Sequence, residues 1–83
     1  MNMIAAARET LTLANDGYFR PAGGCVEGTD FVHLRQMLET MEAGGMSEGK
    51  LERWLGWIQC AVVVNTIGRV SLEDCKQINR RNV

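Results

Sequence analysis

Proline, histidine and tyrosine occur once each in this 83-residue chain. The lone proline, Pro21, leaves long stretches free to form uninterrupted helix, and no proline-rich linker or low-complexity tract is present. The lone histidine, His33, leaves little general-base or metal-ligand chemistry. The three cysteines, Cys25, Cys60 and Cys75, are odd in number and widely spaced, with no C-x-x-C pair. That argues against a disulfide framework and a zinc site, so they read as small apolar side chains, mostly buried, in a reducing compartment. A net charge of −1 supplies no global positive field to draw the chain onto nucleic acid or anionic lipid. The longest uncharged apolar stretch, Trp54–Ile67, includes Gln59, Asn65 and Thr66 and is too short and too polar to span a bilayer. Met1–Ala7 has no basic segment leading into an apolar run, so no targeting segment is visible. A soluble cytoplasmic protein with no membrane partner is expected.

What remains is helical punctuation around one small core. Residues 1–83 make a single domain, because two cores need more chain. The first helix is expected from about Asn2 to Ala14, with Ile4, Ala7, Leu11 and Ala14 on one stripe and Gly17 in the left-handed position after it. Residues 17–28 carry Pro21, Gly23, Gly24 and Gly28 and lack periodicity. Within them Tyr18 and Phe19 either fold back to pin the loop, the favoured reading, or offer a contact pair. A second helix follows an Asp30 or Thr29 cap and runs to about Glu42. Phe31, Leu34, Leu38 and Met41 lie inward, and Arg35 and Glu39 form a solvent-side pair. Ser47 caps a third helix that reaches Asn65, with Leu51, Trp54, Leu55, Ile58, Ala61 and Val62 on one broad apolar face. Three consecutive valines at 62–64 also suit a strand, but the unbroken helical spacing favours helix. Because Trp57, Val63 and Val64 extend the apolar surface around the cylinder, this helix is expected at the centre, or completing its burial against another chain. Gly56 inside it implies close approach of a neighbouring helix or ring, or a ligand notch between the tryptophans. Gly68 ends it, and Ser71 with Asp74 resembles a capping box opening a short fourth helix. The fold class is therefore all-α, a bundle of three longer helices and a short C-terminal one.

Chemistry is sparse. No phosphate-loop, dinucleotide, zincin or nucleophile-elbow motif occurs. Nothing marks a cysteine as the partner of His33, and Glu39 and Glu42 look solvated rather than paired for acid–base work. No catalytic residue, metal or cofactor is assigned, and the chain is not expected to be an enzyme. Lys76, Arg80 and Arg81 at the end of the fourth helix can complement its dipole or touch phosphates, the latter as part of a helix-turn-helix-like pair over residues 50–81. Glu73 and Asp74 at its start oppose DNA, so a DNA-binding regulator is the alternative reading only. Residues 1–49 carry a net charge of −4 and residues 50–83 a net charge of +3, so acidic and basic sides are possible. A protein–protein interaction module fits better, with Trp57 and Trp54 as leading contact candidates beside Gly56, Tyr18 and Phe19. Of the two tryptophans, Trp54 is the better core candidate and Trp57 the better interface candidate.

The run Arg53-Trp54-Leu55-Gly56-Trp57-Ile58-Gln59, followed by Ser71-Leu72-Glu73-Asp74 and Asn79, resembles a segment of small accessory proteins of lambda-like bacteriophages and enterobacterial prophages. The resemblance covers about residues 47–80 and none of 1–46. It implies a phage or prophage origin and a bacterial cytoplasmic setting, and it carries over no catalytic or binding residue. The expected role is binding of a host or phage protein, with a homodimer as one possible state.

Overall fold

Each helix starts where a short polar side chain can accept from N–H groups that have no partner within the helix. In the computed structural model, which describes all 83 residues, α1 spans Met3–Ala14, α2 Phe31–Ala43, α3 Glu48–Asn65 and α4 Leu72–Arg81. Asn2 accepts from the Ala5 N–H at 2.9 Å, Asp30 from His33 at 3.3 Å and Ser47 from Lys50 at 3.2 Å. Ser71 accepts from Asp74 at 3.0 Å, and the Asp74 carboxylate accepts from the Ser71 N–H at 2.8 Å. The capping box is complete, with aspartate in the place usually held by glutamate or glutamine. No strand is present, and residues 60–65 continue α3 as helix.

The helix ends differ from the expected pattern after α1 and after α3, where a left-handed φ of 43° falls on Ile67 ahead of Gly68. After α1 the left-handed φ of 58° falls on Asn15 rather than on Gly17. Asn15 tolerates it because its own side chain accepts from the Gly17 N–H at 3.1 Å, an Asx turn that replaces glycine's freedom.

The four helices close into a globule of 31 × 23 × 16 Å. Its centre is an α1–α3 pair, and α3 is not enclosed on most sides as its composition suggests. Ala6, Ala7 and Ala14 are fully buried on α1, beside Thr10, Leu11 and Met3. Their small side chains let α1 lie close to α3 while also touching α2 and α4. From α3 the core takes Leu55, Ile58, Ala61 and Val62; Leu34, Leu38 and Met41 come from α2, and Cys75 and Ile78 from α4. Val70, in the turn before α4, closes the same cluster.

Polar ties fasten the edges. Arg8 reaches Glu42 at 2.7 Å, joining α1 to α2, and Arg81 reaches Glu9 at 2.8 Å, joining α4 to α1. These are the two ion pairs of the structure, so the expected Arg35–Glu39 pair does not form and Glu42 serves α1 instead. Both pairs are exposed and contribute at most about 1 kcal/mol each. The Asn2 N–H also donates to the Asn82 carbonyl, bringing the two ends of the chain together.

Candidate functional site

Two surfaces flank the outer side of α3. The first is a groove of about 540 Å³ between α2 and α3. From α2 come His33, Gln36, Met37 and Thr40, a run with helical spacing along one side. Arg53, Trp54 and Trp57 face them from α3. Trp54 is half-buried and packs against the core while lining this groove, and Trp57 is the more exposed of the two tryptophans, as expected. The Lys50 ammonium lies 5.3 Å from the Trp54 ring centroid, within cation–π range. No carboxylate lines the groove, and neither Lys50 nor Arg53 takes part in an ion pair. The groove therefore combines aromatic surface with unopposed positive charge.

Trp57 stands at the edge of this groove, and a hydrogen bond fixes it. Its Nε1–H donates to the Gly28 carbonyl at 2.9 Å. Gly28 has a φ of 84°, and a Cβ built there would lie 3.7 Å from both the Trp57 ring and the His33 imidazole. Glycine is required for the backbone conformation, and that conformation aims the carbonyl at the indole.

The second surface lies on the far side of Trp57. Gly56, Cys60, Val63 and Val64 of α3 meet Leu72, Cys75, Lys76 and Asn79 of α4 around an open groove of about 400 Å³. Beside it, Val26 joins Trp57, Cys60 and Val64 around a smaller hollow of about 200 Å³. Space is open around Gly56, with nothing within 4 Å of a built Cβ. That overturns the close approach expected there, and the open space faces α4 and solvent rather than forming a notch between the tryptophans. The cysteines differ from expectation as well: Cys75 is buried, Cys25 is half-buried and Cys60 is exposed. Burial, reinforced by the neighbouring Asp74 carboxylate, pushes the Cys75 thiol above its ordinary value of 9.0.

The 17–28 segment is pinned. Phe19 packs edge-on against Phe31 with centroids 5.3 Å apart, and Tyr18 lies under the Arg69 guanidinium at 4.4 Å. Arg69 also donates to the Leu13 carbonyl at 3.1 Å. The Arg20 N–H donates to the Asn65 carbonyl at 2.9 Å, and the Asn65 amide donates to the Thr29 carbonyl at 2.9 Å. Tyr18 is exposed and Phe19 half-buried, and both brace the loop against the helices.

Sequence reasoning missed the polar centre. The buried Gln59 amide donates to Thr10 Oγ1 at 3.2 Å and to Asn79 Oδ1 at 2.8 Å. Its oxygen accepts from the Asn79 amide at 3.2 Å, and Thr10 donates onward to the Ala6 carbonyl at 2.8 Å. One chain of bonds thus links α1, α3 and α4. The only available signal was a lone polar residue inside an apolar helix run.

Lys76, Arg80 and Arg81 do not gather into one phosphate-binding patch. Lys76 borders the α3/α4 groove, Arg81 is held by Glu9, and Arg80 is exposed. No three histidine, cysteine or carboxylate side chains come together in a metal-holding group. No helix is long and apolar enough to cross a membrane.

No family model, no curated protein and no solved structure matches this chain. Function must therefore be argued from the two surfaces themselves.

Proposed function

We propose that this chain is a small accessory protein, of phage or prophage type as its Arg53–Gln59 segment suggests, that acts in the bacterial cytoplasm by binding another protein. It is read as a non-catalytic helical bundle with a short fourth helix. The observation that carries this reading is the α2/α3 groove, where two tryptophans share a wall with Arg53, which is in no ion pair, and no carboxylate lines it. Tryptophan and arginine are the residues most enriched at binding hot spots. The matching occupant is a host or phage protein segment that sets an apolar side chain against Trp54 and Met37 and a carboxylate against Arg53. The DNA-binding alternative gains nothing from the placement of Lys76, Arg80 and Arg81.

Capture from enterobacterial lysate, treated with nuclease, tests the reading. The wild-type chain is expected to retain one protein in near-stoichiometric amount. Arg53→Glu, a change at an exposed position, should weaken that capture by about tenfold or more, equivalent to 1.4 kcal/mol. Equal capture by both chains would remove the groove from the account. Capture that vanishes with nuclease would favour the DNA-binding alternative.

A further inference from the structure

Asn65, the last residue of α3, is 3% exposed, yet it belongs neither to the hydrophobic core nor to the α2/α3 groove. What it holds is the segment that leads into α2. Its backbone carbonyl accepts from the Arg20 N–H at 2.9 Å, and its side-chain amide donates to the Thr29 carbonyl at 2.9 Å and to Thr29 Oγ1 at 3.1 Å. One residue therefore clasps both ends of the 20–29 loop.

The clasp reaches the groove through a single peptide unit. The Thr29 N–H donates to the Val26 carbonyl at 3.0 Å, and the Thr29 hydroxyl donates to the same oxygen at 2.6 Å. The Thr29 N–H and the Gly28 carbonyl lie in one rigid plane, so fixing the first fixes the direction of the second. That carbonyl accepts from Trp57 Nε1–H at 2.9 Å. Little else restrains this indole: Trp57 is 48% exposed and is not among the residues packed on the core. Its ring direction matters, because Trp57 lines both the α2/α3 groove and the hollow beside Val26.

We propose that Asn65 and Gly28 are positioning residues for the groove. Asn65 anchors the loop, the Gly28–Thr29 peptide carries that anchor to the indole, and the indole sets the wall against which a partner segment docks. Only the last step rests on the groove reading. At Gly28 the lever is the backbone. Its φ is 84°, and a built Cβ would meet Trp57 and His33 at 3.7 Å, an ordinary contact distance. A substitution there acts through the left-handed conformation rather than through crowding. Asparagine should then replace glycine better than alanine does, although it is larger, since asparagine visits left-handed backbone more readily.

Exchange of the indole N–H groups with water, read by NMR on the chain alone, tests the first two steps. Asn65→Ala should speed exchange at Trp57 by about fivefold, the loss of one hydrogen bond's restraint, and leave Trp54 and the helical signal unchanged. The variant keeps the backbone carbonyl that holds Arg20, so the other end of the loop stays in place. Gly28→Ala should speed exchange at Trp57 more than Gly28→Asn does. If Asn65→Ala loses its helical signal, the Gly28 pair decides. Capture from nuclease-treated lysate tests the last step: Asn65→Ala and Gly28→Ala should each weaken it by about threefold or more, and Gly28→Asn by less. A Trp57 signal that ignores Asn65→Ala and Gly28→Ala overturns the proposal, whatever the lysate shows. Faster exchange with capture unchanged, in a lysate where Arg53→Glu weakens capture, overturns it as well. Capture that survives Arg53→Glu removes the groove reading instead, and the indole signals still decide whether Asn65 and Gly28 position Trp57.

Discussion

Ile58→Ala should lower stability by about 2–5 kcal/mol, whereas Val64→Ala, less than two turns away on the same helix, should change it by about 0.5 kcal/mol or less. Ile58 has no exposed surface and belongs to the core cluster that all four helices share. Removing its outer carbons leaves a cavity that the fully buried alanines of α1 are too short to fill. Val64 is absent from the core cluster, so its truncation leaves no cavity. A domain of this length holds roughly 4–12 kcal/mol in total at about 0.05–0.15 kcal/mol per residue, so the first change should unfold a visible fraction of the chain. Urea denaturation in dilute solution measures both. Similar losses at the two positions would mean that α3 has no inner and outer side.

Gln59→Leu should cost about 1–3 kcal/mol even though it places an apolar residue in an apolar neighbourhood. The substitution leaves the Asn79 amide and the Thr10 hydroxyl without the partner they have at 2.8 and 3.2 Å. Adding Asn79→Leu should recover part of the loss, because the second stranded amide is then gone. The double variant should therefore lie closer to wild type than the sum of the single changes, with a coupling of about 0.5–3 kcal/mol. Strict additivity in a double-mutant cycle would show that the two amides do not hold each other. In the native chain no buried side-chain nitrogen or oxygen lacks a partner. The network therefore fixes which faces of α1, α3 and α4 meet without leaving an unpaired polar group in the core.

Helix starts and stops were legible in the sequence because they depend on neighbours a few residues away. Asn2, Asp30, Ser47 and Ser71 each accept the N–H three residues on, which needs no knowledge of the rest of the fold. The inward stripes of α2 and the inner half of α3 were legible for the same reason. What the sequence did not convey was which helix lies next to which. The alanines of α1 read as helix formers, but in the fold their small size allows α1 to sit against three neighbours. Gly56 read as a point of close approach, yet it faces open space, because one glycine reports room without saying what occupies it. Gln59 and Asn65 looked like ordinary polar interruptions, and only tertiary partners 20 to 49 residues away explain their burial.

The candidate surfaces were legible in part. Trp57 does stand at an edge, with its indole nitrogen tied to Gly28 and its side chain lining both the α2/α3 groove and the hollow it shares with Val26, Cys60 and Val64. Helical spacing places Trp54 on the Leu51–Leu55–Ile58 face, and there it packs against the core from a half-buried position. In the fold that face broadens into a groove rimmed by His33 and Arg53. The exposure of Cys60 and Val64 was hidden for a related reason: an all-round apolar helix looks buried unless the number of available neighbours is known.

The most direct test of an α3 with one side in the core and one outside is the alkylation rate of each cysteine in dilute solution. Cys60 is expected to react fastest, Cys25 more slowly and Cys75 slowest, since Cys75 is both buried and held in its protonated form. A Cys60 as slow as Cys75 in the most dilute sample would place the outer side of α3 inside the core and contradict the account of the fold and both surfaces.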